Sequence, residues 1–419
     1  MARHGGFRLA GAWLSALVTL GSGVALAGAP RLVKETTAFG TLAPKMDPTV
    51  IRARNVRVDV ELLRSGASPS VELPLFDGMK PLVLVRDRTE AAPGGFVWLG
   101  HVAGQAQSQA VLSVVDDVVS GNITTLEGEV YQLRYAGNGI HALRQINHAA
   151  FPEEAPPLEV APSEEDTSSA SADFQVTADT GSTIDVMVVY TATARSASGG
   201  ASAMSSLINL AMSETNTGYS NSGVNQRVRL VHTAELSYAE SGSLSTDLSR
   251  LRSTTDGYMD GIHTTRNTYK ADLVSLFVEN GGSYCGMAYI MTSVSTSFAS
   301  SAFSVVDQDC ATGYYSFGHE MGHNMGARHD RYVDNTDGSP YSYNHGYYYS
   351  SGKWRTVMAY NDGCQAVGVS CTRINYWSNP NKFYNGVAMG VSSTSTKAAD
   401  NHLTLNNTAY TVANFRASQ

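Results

Sequence analysis

No cysteine occurs before position 285 in this chain of 419 residues, and the four present, Cys285, Cys310, Cys364 and Cys371, lie in the last third. A thiol in the N-terminal half therefore cannot act as nucleophile, metal ligand or blocking group. No C-x₂-C spacing occurs among the four, which argues against a cysteine-ligated structural zinc. Charge is scarce as well. Only 16% of residues are charged and the net charge is −8, so the basic footprint of a nucleic-acid binder is missing. Beyond the extreme N-terminus no apolar run approaches the roughly twenty residues that would cross a bilayer. Ser, Thr, Asn, Gly and Tyr are plentiful instead, a polar but weakly charged surface that suits an extracellular protein.

Residues 1–27 read as a signal peptide. Arg3 and Arg8 form a basic start, Leu9 to Leu20 is an apolar stretch too short to span, and Ala25-Leu26-Ala27 offers a small-residue cleavage site. The mature protein is therefore expected to be secreted, without a membrane anchor once the signal is removed. Export and an even cysteine count together argue for two disulfides, with three connectivities open.

Three regions follow. Between residues 28 and 151, short apolar runs (Val56 to Leu63, Leu82 to Val85, Phe96 to Val102, Ala110 to Val115, Val130 to Arg134) are broken by Gly, Pro and Asn, the pattern of a β-rich domain. Residues 152–181 are rich in Pro, Glu, Ser and Ala with few large apolar side chains, which predicts a disordered linker holding a processing site. From 182 to 419 strands and helices alternate. Ile184 to Tyr190, Arg227 to Leu236, Ala271 to Val278 and Met287 to Thr292 read as strands. Ala201 to Ser213 reads as an amphipathic helix with Met204, Leu207, Ile208, Ala211 and Met212 inward. Leu244 to Arg252 and Asp400 to Phe415 read as helices, the last with Leu403, Tyr410 and Ala413 on one side.

The most informative stretch is His319-Glu320-Met321-Gly322-His323-Asn324-Met325-Gly326-Ala327-Arg328-His329-Asp330. On a helix His319 and His323 project from one face and can grip one zinc ion. Glu320 lies beside the first ligand, where a carboxylate can take a proton from water on the metal. Gly326 can adopt positive φ and end the helix, so that His329 returns as a third nitrogen ligand and one coordination position stays open. Five fixed positions would match by accident in such a chain with a probability on the order of 10⁻⁵.

This motif resembles the metzincin clan of zinc endopeptidases, and Thr356-Val357-Met358-Ala359-Tyr360 resembles its Met-turn. Asp330 after the third histidine resembles the adamalysin and reprolysin branch, whereas Tyr360 two residues after Met358 resembles the astacin and serralysin arrangement. The whole of Tyr284 to Pro380 is most similar to the bacterial peptidyl-Asp metalloendopeptidases, the endoproteinase Asp-N type.

The resemblance implies a mixed α/β catalytic domain: a twisted mixed sheet on two long helices, a cleft, and a smaller C-terminal subdomain, preceded by the β-rich region as propeptide. It implies one catalytic Zn²⁺ on His319, His323 and His329, Glu320 as general base, Met358 as an apolar floor and Tyr360 as an oxyanion donor. The Met287 to Thr292 strand would pair with extended protein or peptide substrates. Acceptance of Asp after the scissile bond calls for a cation in the pocket, for which Arg373 is the choice and Lys353 and Arg355 the reserves. The disulfides are expected as Cys285 with Cys310 and Cys364 with Cys371, the latter closing a short loop after the Met-turn. Lacking a cysteine, a propeptide must block the zinc otherwise, with Asp77 as candidate. Cleavage is expected in the linker, giving a mature monomer that begins between about Ser163 and Thr183, with Asp173 or Asp179 suited to self-cleavage. Asp330, Asp334 and Asp337 raise the question of Ca²⁺ but fail the EF-hand spacing. His232, His263, His345 and His402 show no ligand spacing. The alternative is an exported, non-catalytic zinc protein or adhesin.

Overall fold

Alternating apolar side chains between residues 33 and 146 build a nine-stranded antiparallel sheet. Across the sheet the order is Val33–Glu35, Val50–Val58, Ile140–Ile146, Val130–Gly137, Val118–Thr124, Gln105–Val115, Gly95–Val102, Leu82–Ala92 and Ser70–Leu73. The period of two sorts neighbouring side chains to opposite faces. Trp98 enters this sheet's own core with Leu112, Tyr131 and Leu133. Val97, Leu99 and Val111 instead meet Leu210 of a helix far along the chain. The computed structural model describes residue 1 and residues 28–42, 47–64, 66–160 and 179–417. The expected signal-peptide features and Asp173 lie outside these described residues.

The second unit is a six-stranded mixed sheet. Its order is Leu158–Glu159, Gly286–Ile290, Phe303–Asp307, Leu273–Val278, Thr183–Thr191 and Arg227–Leu236. The pairings are parallel except between Gly286–Ile290 and Phe303–Asp307. Two helices pack on it. Ala201–Ser222 runs nine residues beyond the expected end, and Leu210, Ser206 and Asn209 are buried as well as the five expected inward positions. The reason is that the helix is sandwiched, with the mixed sheet on one side and the N-terminal sheet on the other. The second, Ser316–Asn324, is nine residues long rather than a long helix, because Gly326 turns the chain at φ +88°. Asn401–Val412 closes the chain, capped by the Asp400 carboxylate on the Leu403 amide. Its buried face is Thr404, Leu405, Thr408, Ala409 and Val412; Tyr410 points outward, 58% exposed, against expectation.

The expected disordered linker begins later than composition suggests. Pro152 to Val160 lie among the described residues, and Leu158–Glu159 form the sixth strand of the mixed sheet. Charge pairing, described below, adds to the burial of Ala155 and the partial burial of Leu158 and Val160 in holding this segment. Both expected disulfides are present, Cys285–Cys310 and Cys364–Cys371. No helix among the described residues is long and apolar enough to cross a membrane.

Candidate metal centre and acid-binding pocket

Helix Ser316–Asn324 and the turn after it place His319, His323 and His329 around one point. Their Nε2 atoms lie 3.0–3.1 Å from one another, all buried. His319 Nδ1 donates to the Val357 carbonyl and His323 Nδ1 to the Ala327 carbonyl, which leaves both Nε2 atoms as lone-pair acceptors. Burial lowers the proton affinity of all three, His323 to about 4 and the other two well below the usual imidazole range. With His319 and His323 Nε2 both bare of hydrogen and the His329 Nε2 aimed at the same point, this donor set fits a borderline-soft metal such as zinc. Among the described residues it is the single cluster of three or more potential ligands.

Glu320 is fully buried beside this cluster, and neither carboxylate oxygen has a hydrogen-bond partner among the described residues. Burial, and then the Glu154 charge, push its proton affinity well above the carboxylate range. Gly286 of the edge strand makes room for it, since a β-carbon there would fall 2.5 Å from Oε1. Beneath the helix, Met358 is fully buried; a β-carbon at Gly322 would come within 2.9 Å of its sulfur, so the helix rides directly on the turn. The Tyr360 ring lies against His329 at 4.1 Å between centroids, and its hydroxyl donates to the backbone carbonyl of Glu154.

Arg373 is not on a solvated loop face. It is wholly buried, donating through both Nη atoms to the Glu154 carboxylate, with Glu153 at 3.2 Å and the Tyr314 ring 4.1 Å beneath the guanidinium. Burial works against both charges, yet each holds the other ionised: Glu154 stays below the carboxylate range and Arg373 above its ordinary value. Ser316 Oγ donates to the same carboxylate at 2.8 Å. Arg355, 1% exposed, hydrogen-bonds the Tyr314 hydroxyl and reaches Glu153, whereas Lys353 is exposed. The positive φ of Tyr315 (+65°), unusual for a bulky residue, sets up the helix start between Tyr314 and Ser316.

Glu153 and Glu154 are the acids at this site that sequence reading missed. Asp77 is exposed, and the segment that meets Tyr360 and Arg373 from the N-terminal region is the Pro152 to Glu159 strap. Its one sequence signal is an acid pair set among prolines, Pro152-Glu153-Glu154-Ala155-Pro156-Pro157, a composition that favours extended backbone. The acids weighed for calcium are engaged separately: Asp330 accepts from the Tyr332 and Tyr360 amides, Asp334 pairs with Arg328, and Asp337 pairs with Arg331. His345 bonds the His329 carbonyl through Nδ1.

Residues 180–378 match metallo-peptidase family M12, so the class of the protein is a metallopeptidase, and the non-catalytic alternative is set aside. A peptidyl-Asp metalloendopeptidase of Xanthomonas campestris pv. campestris is 40% identical over 411 residues, 92% of each chain. One of Stenotrophomonas maltophilia is 41% identical over 391 residues, 88% of each. One of Pseudomonas fragi is 40% identical over 204 residues, covering 48% of this chain and all of that one. The chain belongs to the peptidyl-Asp metalloendopeptidase family.

Proposed function

We propose that the chain is a secreted zinc endopeptidase, made as an inactive precursor, that hydrolyses internal peptide bonds on the amino side of Asp. The observation that carries the reading is the set of three converging neutral imidazoles beside the buried, unpartnered carboxylate of Glu320. His319, His323 and His329 would hold the ion, which supplies Lewis acidity and an acidified water. Glu320 accepts the proton of the attacking water at a carboxylate oxygen and returns it to the leaving amine nitrogen. Tyr360, whose burial keeps its phenol protonated, donates its hydrogen to the oxygen of the carbonyl under attack. Arg373 offers a two-point fork for the substrate's carboxylate, which matches the specificity in the names of the relatives above. Processing falls in the linker between about Ser163 and Thr183.

The test is azocasein cleavage with and without 1,10-phenanthroline, beside Glu320→Gln. The expected result is activity abolished by the chelator, and a Glu320→Gln protein that keeps its metal by atomic absorption while losing nearly all turnover. Full activity in Glu320→Gln would overturn the mechanism. N-terminal sequencing of secreted protein that starts near Gly28 would overturn the precursor reading.

A further inference from the structure

The uncleaved chain places an acid of its own on the buried Arg373. Phe151 stacks on the Tyr314 ring at 4.4 Å, and Glu153 accepts from the Tyr314 hydroxyl and pairs with Arg355. Glu154 then turns inward. Its carboxylate takes both Nη atoms of Arg373 and the Ser316 hydroxyl. On either side the backbone is tied to the edge strand, Cys285 N donating to the Glu153 carbonyl at 3.1 Å and Ala155 N to the Gly286 carbonyl at 2.8 Å. Resting on the reading that Arg373 meets the substrate's acid, we propose that Arg373 and Ser316 together form the receptor for the substrate's side-chain carboxylate, and that Glu154 fills this receptor in the uncleaved chain as a tethered stand-in that closes the cleft.

The hydrogen bonding and the geometry of the strap support this. Both Nη atoms of Arg373 and the Ser316 hydroxyl donate to the Glu154 carboxylate, and a buried guanidinium without an anion is costly. A planar carboxylate facing a guanidinium fork plus a hydroxyl on one side is a shape that an amide satisfies poorly, since its NH₂ would face donors. The receptor also holds a side chain one methylene longer than aspartate, so glutamate peptides are expected as a second, weaker substrate class. Resistance of the strap to cleavage has a geometric cause. The bond on the amino side of Glu154 presents its carbonyl to Cys285, whereas the carbonyl facing Tyr360 belongs to the bond on the other side of the acid.

The experiment uses the full-length chain in the Glu320→Gln background, which prevents self-processing, and a dye-labelled hexapeptide bearing Asp, with its Asn counterpart as control. Fluorescence anisotropy should show little binding to the parent. Glu154→Ala should raise affinity for the Asp peptide at least tenfold and leave the Asn peptide weak. Adding Ser316→Ala should then lower Asp-peptide affinity several-fold. Glu154→Gln, which keeps the volume of the side chain, should behave as Glu154→Ala does and guards against a folding defect. If the Glu154 variants admit Asp and Asn peptides equally, the receptor assignment fails. If they admit neither while processed enzyme still prefers Asp, the stand-in fails and the pocket reading survives.

Discussion

Arg373 and Glu154, 219 residues apart in sequence, form a wholly buried ion pair with two parallel hydrogen bonds. Such a pair ties the segment after the N-terminal sheet to the short strand Thr372–Arg373. Removing one partner of a buried pair leaves an uncompensated charge, at a typical cost of about 3–5 kcal/mol. On the proposed reading, the same cost would favour binding of an acid at Arg373 once Glu154 is gone.

In processed enzyme, Arg373→Ala should keep cutting while its discrimination of Asp over Asn falls by at least ~100-fold, because a site built to hydrogen-bond one group rejects analogues through its unpaired donors. Arg373→Lys should recover only part of it, since an ammonium lacks the fork. Peptide mapping of one denatured protein by mass spectrometry reads both, and unchanged Asp preference in Arg373→Ala would clear the residue of the role.

Tyr360→Phe removes a single donor and leaves the ring against His329. If the phenol meets the carbonyl under attack, kcat should fall by ~10²–10³ with KM nearly unchanged. Steady-state kinetics on a fluorogenic peptide decide the matter; a KM change at constant kcat would reduce Tyr360 to a packing residue.

The two disulfides should contribute unequally. They enclose loops of 25 and 7 residues in sequence separation. Chain entropy then assigns about 3.5 kcal/mol to Cys285–Cys310 and about 2.5 kcal/mol to Cys364–Cys371. Urea unfolding of the two double-alanine variants should rank them in that order.

Stability of the full chain should depend on pH through Glu214. This carboxyl, buried between the long helix and the N-terminal sheet, accepts from Asn122 and from the Gly313 amide, yet burial pushes it up to about 7. The folded chain therefore holds a proton that the unfolded chain releases above the ordinary carboxylate range. Its contribution is present below about pH 4.5 and is lost as pH rises to about 7, at most about 3 kcal/mol. Glu214→Gln should flatten that part of the urea-midpoint profile, and an unchanged slope would point to Asp272 or Asp307, both also raised to about 7 by burial.

The metal centre was legible because its spacing is local: three histidines and a glutamate within eleven residues fix a helix, a turn and a ligand set. The strands at Arg227–Leu236 and the helix at Leu244–Arg252 were legible for the same reason, each carrying its own period. Val118–Thr124 was not. It is fully buried, yet Asn122 interrupts the apolar pattern because its side-chain partner, Glu214, lies on a helix the strand cannot announce. Glu153 and Glu154 escaped notice on the same physical ground. Low hydrophobicity reads as disorder when burial is assumed to need apolar surface, but here two arginines more than 200 residues away supply the anchoring. Tyr410 failed in the opposite sense, its aromatic ring suggesting a buried face that Thr404 and Thr408 occupy instead.

The strap also has a colloidal consequence. While Glu153 to Glu159 lie along Gly286–Ile290, that strand has neighbours on both sides. Cut away, they bare the outer rim of amides and carbonyls of a five-residue apolar strand, the kind of margin through which sheets of separate molecules join. If the chain is processed as proposed, release of the strap would open that edge to pairing with a peptide or with a second molecule.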